Sequence, residues 1–106
     1  MRLEDKVAIV TGAASGLGAS TAQIFAQEGA KVVVADLLKT EGEGIASQIE
    51  KNGGTAKFHL LDVTDPINWE RVVADTVSAY GQIDILVNNA GVSGASPDRM
   101  SIDIWD

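Results

Sequence analysis

The chain has 106 residues, a formal net charge of −7, 45% hydrophobic residues and no cysteine. This length builds one domain at most, and the charge argues against nucleic acid or an anionic membrane surface as a partner. Without cysteine there is no disulfide framework or thiolate metal site. No apolar run reaches the roughly 20 residues of a membrane span, and residues 1–6 lack the apolar core of a signal peptide, so a cytoplasmic location is expected.

Residues 6–11 (KVAIVT) are continuously apolar after the lysine and rich in β-branched side chains, the pattern of a fully buried strand. They run straight into Thr11-Gly12-Ala13-Ala14-Ser15-Gly16-Leu17-Gly18. Glycines in a strand-to-helix turn let backbone N–H groups approach a partner closely. The helix N-terminus that follows offers unpaired donors and partial positive charge, which together suit a pyrophosphate. Taken alone, about half of such glycine patterns are ordinary tight turns or helix ends.

The spacing predicts a helix over 17–28, with Leu17, Thr21, Ile24, Phe25 and Glu28 on one face and Gly29 ending it. Residues 31–36 read as a second buried strand. A second helix is expected over 40–52, with Ile45, Ala46 and Ile49 facing inward, weakened by Gly42 and Gly44 and stopped by Gly53-Gly54. Residues 55–61 form a third strand. Asp65 is placed to cap a third helix, with Pro66 in its first turn. That helix has the clearest period of the chain, through Trp69, Val72, Val73, Thr76, Val77 and Tyr80, and Gly81 ends it. Residues 83–88 read as a fourth strand.

Strict alternation of strand and helix argues for a doubly wound parallel sheet with helices on both faces. A reversal after the third strand gives the order 3-2-1-4 and a ligand crevice above the C-terminal ends of strands 1 and 4. The glycine turn and Asn88-Asn89-Ala90-Gly91 both land there. Beyond Gly91, residues 92–100 read as a loop and 101–106 as the start of a helix capped by Ser101. A helix that short cannot hold itself, strand 4 would be left as an apolar edge, and the chain reads as truncated after about four strands.

Asp36 ends the second strand, 24 residues after Gly12 (36 − 12), close to the spacing of an acidic residue that bonds a ribose. A carboxylate there accepts from both ribose hydroxyls and repels a 2′-phosphate. Leu37 offers no guanidinium and Ser15 is not basic, so NAD is preferred over NADP; the plainer alternative is a strand-end aspartate. Asp62-Val63 follows the third strand, where the carboxylate accepts from an adenine amine or serves only as a turn residue. Asn88-Asn89 is placed to tie its loop to neighbouring backbone. His59 is read as a strand residue with a satisfied ring and Tyr80 as packing.

Together, Thr11-Gly12-Ala13-Ala14-Ser15-Gly16-Leu17-Gly18, Asp36, Asp62-Val63 and Asn88-Asn89-Ala90-Gly91 resemble the short-chain dehydrogenase/reductase family, in its single-domain branch with the glycine pattern T-G-x-x-x-G-x-G. The resemblance runs over nearly the whole chain. It implies a Rossmann-type site in which the backbone around Gly12, Ser15, Gly16 and Leu17 holds the pyrophosphate and adjoining ribose. Asp36 would take the adenosine ribose, and Asp62 and Val63 the adenine. Asn89, Ala90 and Gly91 would line the nicotinamide-side ribose, Asn88 would brace the sheet, and Gly18 would let the first helix pack close.

The implied reaction is NAD-dependent hydride transfer to or from a secondary alcohol or ketone, in a homo-oligomer, dimer or tetramer. The family's catalytic set is Asn-Ser-Tyr-Lys, with Tyr and Lys in a Y-x-x-x-K helix. No Y-x-x-x-K occurs in these 106 residues: the residue four after Tyr80 is Asp84, and Ser93 and Ser96 lie too early to match the serine. No catalytic residue and no metal ligand is therefore assigned. The expectation is a cofactor-binding half that is inactive alone. Two alternatives stay open, a dinucleotide-binding module without catalysis and a chain completed by a second polypeptide at strand 4.

Overall fold

A computed structural model describes residues 2–89 and the backbone of residues 101–104. Four strands, β1 (Val7–Thr11), β2 (Lys31–Asp36), β3 (Thr55–Leu60) and β4 (Ile85–Asn88), lie parallel in the order β3-β2-β1-β4. Thr11 stands level with Ala35 on one side and Asn88 on the other, and Asp36 stands level with Leu60. The C-terminal ends of all four strands thus share one edge of the sheet. Each residue of β1 is buried, as a central strand with both faces covered requires.

Helices α1 (Gly16–Gln27) and α2 (Lys39–Lys51) cover one face, packing Ala22, Ala26, Ala46 and Ile49 on Ala8, Val10, Val32, Val34 and Val87. Helix α3 (Pro66–Tyr80) covers the other, where Val72 and Trp69 meet Ile9, Val33, Ala35 and Leu86. Helices on both faces and the order 3-2-1-4 are as the sequence predicts. Element ends differ from the expected ones by one or two residues, the ordinary fraying of helix and strand boundaries.

The caps follow the sequence. Asp65 accepts hydrogen bonds from the backbone N–H groups of Ile67 and Asn68 at the start of α3, with Pro66 in the first turn. Gly81 takes a left-handed conformation (φ 84°) at its end, and its N–H bonds Val77 O at 2.7 Å. Gly42, expected only to weaken α2, sits against Phe58: a Cβ there would run into the ring, so the glycine sets how closely α2 approaches β3.

The expected face of α1 needs correction. Leu17 and Ile24 are exposed (46% and 54%), whereas Gly18, Ala19, Ala22 and Ala26 are buried, with Phe25 only partly so. The helix lies too near the sheet for large side chains, and the smallest residues make the contact. Val77, assigned to the apolar stripe of α3, is likewise 45% exposed.

Ser101 caps no helix. Residues 101–104 form no helix start but a strand, β5 (Ser101–Ile104), paired antiparallel to β4 with Ile85 level with Ile104 and Asn88 with Ser101. Among the described residues the sheet therefore has five strands, β3-β2-β1-β4-β5. The open edge of β4 offers unpaired N–H and C=O groups, and Ser-Ile-Asp-Ile alternates with the period of a strand. Those partners outweigh a helical turn that has nothing to pack on.

His59 and Tyr80 are engaged much as expected. The His59 ring places Nδ1 at 2.8 Å from Leu60 O and Nε2 at 2.8 Å from Asp75 Oδ2. Tyr80 packs on the α3-side core, with Lys31 Nζ 5.7 Å from its ring centre. Burial, and then the Glu50 carboxylate, push its phenol above the usual value.

Candidate cofactor site

The turn after β1 is shaped by glycines. Gly12 (φ 62°) and Gly16 (φ 59°) both take left-handed backbone that L side chains resist. Gly18 is required for a different reason: a Cβ there would stand 2.7 Å from Gly12 C and 2.9 Å from Asn89 Nδ2. The first turn of α1 is thereby held directly against the turn that precedes it.

Ser15 stands at the N-cap of α1 in extended conformation, its side chain makes no capping hydrogen bond, and the first turn holds no acid. Helix α3 instead has its first donors occupied by Asp65, and α2, which lacks a capping side chain, carries Glu41 in its first turn. Among the described residues, α1 alone presents a helix N-terminus with neither capping side chain nor acid, the condition under which the donors and dipole act on an outside anion.

Asp36 is joined to this turn. Its Oδ2 accepts from Ala14 N (3.0 Å) and its Oδ1 from Leu38 N (3.0 Å). The carboxylate is half-buried, fixed between the glycine turn and the β2–α2 connection, and each oxygen keeps lone-pair capacity for a further donor. On the other side of β1, Asn89 Nδ2 donates to Gly12 O (3.3 Å), and Thr11 Oγ1 lies 3.3 Å from both Val87 O and Asn88 Oδ1. Asn88 therefore braces β4 against β1.

At the end of β3, Asp62 Oδ1 accepts from Thr64 N (2.9 Å) and Thr64 Oγ1 (2.6 Å). Those hydroxyl and backbone bonds hold the carboxyl below its ordinary value, against a smaller opposing effect of burial. Asp62 N donates to Asn68 Oδ1 at 2.6 Å, Asn68 Nδ2 donates to Leu60 O at 3.2 Å, and Trp69 Nε1 donates to Val63 O at 3.1 Å.

Gly12, Ser15, Gly16, Leu17, Asp36, Asp62, Val63 and Asn89 all lie at the C-terminal edge of the sheet, and hydrogen bonds link Asp36 and Asn89 directly to the glycine turn. Ala90 and Gly91 fall outside the described residues, as do the loop through 100 and Trp105-Asp106. Sequence reasoning missed Thr64, Asn68 and the indole N–H of Trp69. The spacing Asp62-x-Thr64 is itself the signal of an Asx-type turn. The surface beside the polar groups is apolar: Leu17, Leu37, Leu38 and Leu60 are each 46–61% exposed at the site ends of their elements. An uncapped helix N-terminus, a turn opened by Gly12 and Gly16 and an acidic anchor flanked by exposed leucines are the chemistry that a phosphate, a ribose and a base require.

No helix among the described residues is long and apolar enough to cross a membrane. A family model for short chain dehydrogenase matches residues 6–106. The chain is 48% identical over 91 residues to a 2,5-dichloro-2,5-cyclohexadiene-1,4-diol dehydrogenase of Sphingobium indicum, covering 86% of this chain and 36% of that protein. It is 44% identical over 107 residues to a 3-oxoacyl-(acyl-carrier-protein) reductase of Thermotoga maritima, covering 100% of this chain and 44% of that one. Among solved structures, a hydroxysteroid dehydrogenase from Escherichia coli superposes with a TM-score of 0.82 at 39% identity, over 85% of this chain and 37% of the other. The chain thus spans well under half the length of these relatives, all of them oxidoreductases by name. With the glycine turn, Asp36 and Asn88-Asn89 at one sheet edge, this chain belongs to the short-chain dehydrogenase family.

Proposed function

We propose that these 106 residues are the dinucleotide-binding part of an NAD-preferring oxidoreductase that moves hydride between nicotinamide and a secondary alcohol or ketone. The observation that carries the reading is the Asp36 carboxylate, anchored by Ala14 N beside the uncapped N-terminus of α1. Backbone donors around Gly12, Ser15, Gly16 and Leu17 hold the pyrophosphate, and Asp36 accepts from the adenosine ribose. Asp62 and Val63 take the adenine, and Asn89, with Ala90 and Gly91, takes the nicotinamide-side ribose. When bound, the nicotinamide supplies the hydride donor or acceptor; these residues bind and orient it, and none is assigned a proton-transfer role. The names of the relatives, which span a cyclic diol, an acyl-chain ketone and a steroid, support an alcohol or ketone as substrate. A homo-oligomer in the cytoplasm belongs to the same proposal.

The preference for NAD rests on charge. A ribose 2′-phosphate would meet the Asp36 carboxylate with no cation at Leu37 or Ser15 to offset it. Losing a hydrogen bond to a charged acceptor costs about 1.5–3 kcal/mol, roughly 10- to 100-fold in affinity. Calorimetric titration of NAD and NADP is the test. The expected result is tighter NAD binding, with Asp36→Ala weakening NAD and narrowing the ratio. Equal affinities in the unmodified protein, or a ratio indifferent to Asp36→Ala, would leave Asp36 as a strand-end residue.

A further inference from the structure

Asn68 and Thr64 converge on Asp62 from two directions, and the topology explains what the first of them does. Among the described residues β3 is the outer strand of the sheet, so alternate peptide groups on its far side have no neighbouring strand there. Leu61 N bonds Asp36 O at 3.0 Å, so residue 61 faces β2, and the C=O of Leu60 and the N–H of Asp62 face outward. In a parallel ladder, one residue of a neighbouring strand would donate to the first of these and accept from the second. The Asn68 side-chain amide does both: Nδ2 donates to Leu60 O and Oδ1 accepts from Asp62 N. One primary amide from the first turn of α3 thus stands in for a sixth strand at a single register position. It continues the extended path of β3 as far as Asp62.

Thr64 then orients the carboxylate. Its N–H and hydroxyl both point to Asp62 Oδ1, which leaves Oδ2 as the oxygen turned away from these donors. Asp65 N to Asp62 O (3.1 Å) and Trp69 Nε1 to Val63 O close the rest of the connection. Backbone and carboxylate are both set before a ligand arrives, which spares the cost of ordering them on binding.

We propose that Asn68 and Thr64 are positioning residues that present Asp62 Oδ2 as a fixed acceptor, and that they thereby set selectivity for a purine bearing an exocyclic amine over one bearing an oxo group. The proposal rests on the reading of Asp62 as the adenine-side residue. An ionised carboxylate only accepts, so an amine satisfies it and a carbonyl oxygen at the same place repels it.

The test is calorimetric titration of the protein with NAD and with its hypoxanthine analogue, in which an oxo group replaces the adenine amine. The unmodified protein is expected to favour NAD by about tenfold, the worth of one charge-assisted hydrogen bond. Asn68→Ala and Thr64→Val should each reduce that ratio at least threefold, and Thr64→Ser, which keeps the hydroxyl, should restore it. A purely structural role would weaken both dinucleotides equally and leave the ratio unmoved. Because Asn68→Ala removes a tie to the edge strand, Thr64→Val, at an exposed position, carries the test if the first variant folds poorly. If Asp62→Ala abolishes the ratio while neither Thr64→Val nor Asn68→Ala changes it, the positioning role is refuted and the adenine reading stands. If Asp62→Ala leaves the ratio intact, or the unmodified protein shows no preference, the adenine reading is refuted and the positioning role with it.

Discussion

Gly18→Ala sets two known effects against each other, and the structure decides which wins. In an exposed helix interior, alanine for glycine stabilises by about 0.5–1 kcal/mol. At residue 18 the new Cβ would lie 2.7 Å from Gly12 C and 2.9 Å from Asn89 Nδ2, against the 3.4 Å at which ordinary contact begins. Gly12 O is nearer still, so the start of α1 must retreat by more than the roughly 0.7 Å that Gly12 C alone requires, and the obstacle is backbone, which cannot rotate aside. Overpacking of this kind costs roughly 1–3 kcal/mol, so the net effect is a loss of about 1–2 kcal/mol and a fall in Tm of roughly 5–15 °C for a domain of this size. Gly44→Ala is the control, since that glycine lies in α2 with nothing within 4 Å of where a methyl would stand; it should gain about 0.5–1 kcal/mol. Thermal unfolding followed by circular dichroism reads both, and titration with NAD reads the turn. Gly18→Ala should also weaken NAD, because the displaced turn loses its tie from Asn89 to Gly12 O. A Gly18→Ala protein as stable as the Gly44→Ala protein would refute the close-contact argument.

Three further outcomes follow from the same geometry. Asp65→Ala removes the acceptor for Ile67 N and Asn68 N and should cost about 1 kcal/mol, read as an earlier denaturation midpoint with an unchanged slope; no shift would mean that water replaces the cap. Ile9→Ala empties a fully buried position at the centre of the sheet and should cost about 2–5 kcal/mol, a loss that denaturant titration would contradict if it came out below about 1 kcal/mol. Thr64 holds the Asp62 carboxyl below its ordinary value. The sign follows: this contribution is fully present above the ordinary carboxylate value and is lost as pH falls through the lower folded one. Carbon-detected NMR of the Asp62 carboxyl should show its titration displaced to lower pH, and Thr64→Val should move it back upward; identical titration curves in the two proteins would contradict the assigned cause.

The strands were legible because each is a short run of apolar, mostly β-branched residues bounded by turn residues, and a strand buried on both faces needs no subtler code. Asp36 and the glycine turn were legible for a related reason, since their spacing is imposed by one crossover and leaves few other arrangements. The face of α1 was not. Leu17 and Ile24 carry the hydrophobicity that a periodic reading weighs, while Gly18, Ala19, Ala22 and Ala26 make the contact. At a close helix–sheet approach, side-chain volume decides and hydrophobicity does not. Residues 101–104 show another limit, because four residues suit either a helix start or a strand, and the open edge of β4 chooses. Asn68 escaped notice because a polar residue in a first helical turn resembles cap decoration. Its partners become visible only once β3 is known to be the outer strand.

Two side-chain ties join the glycine turn to the rest of the site, and they close chain segments of very different length. Asp36 reaches Ala14 across 22 residues, whereas Asn89 reaches Gly12 across 77. Closure entropy grows with the logarithm of that separation, so bringing the more distant pair together from the unfolded chain costs about 1 kcal/mol more, a cost shared with the pairing of β4 on β1. The order of synthesis acts the same way, because the first partner pair exists once Asp36 has been made and the second waits for Asn89. The Asp36 side of the site is thus a local structure, built by β1, α1 and β2. The Asn89 side depends on the chain returning from a distance, and it is complete only when β4 pairs with β1.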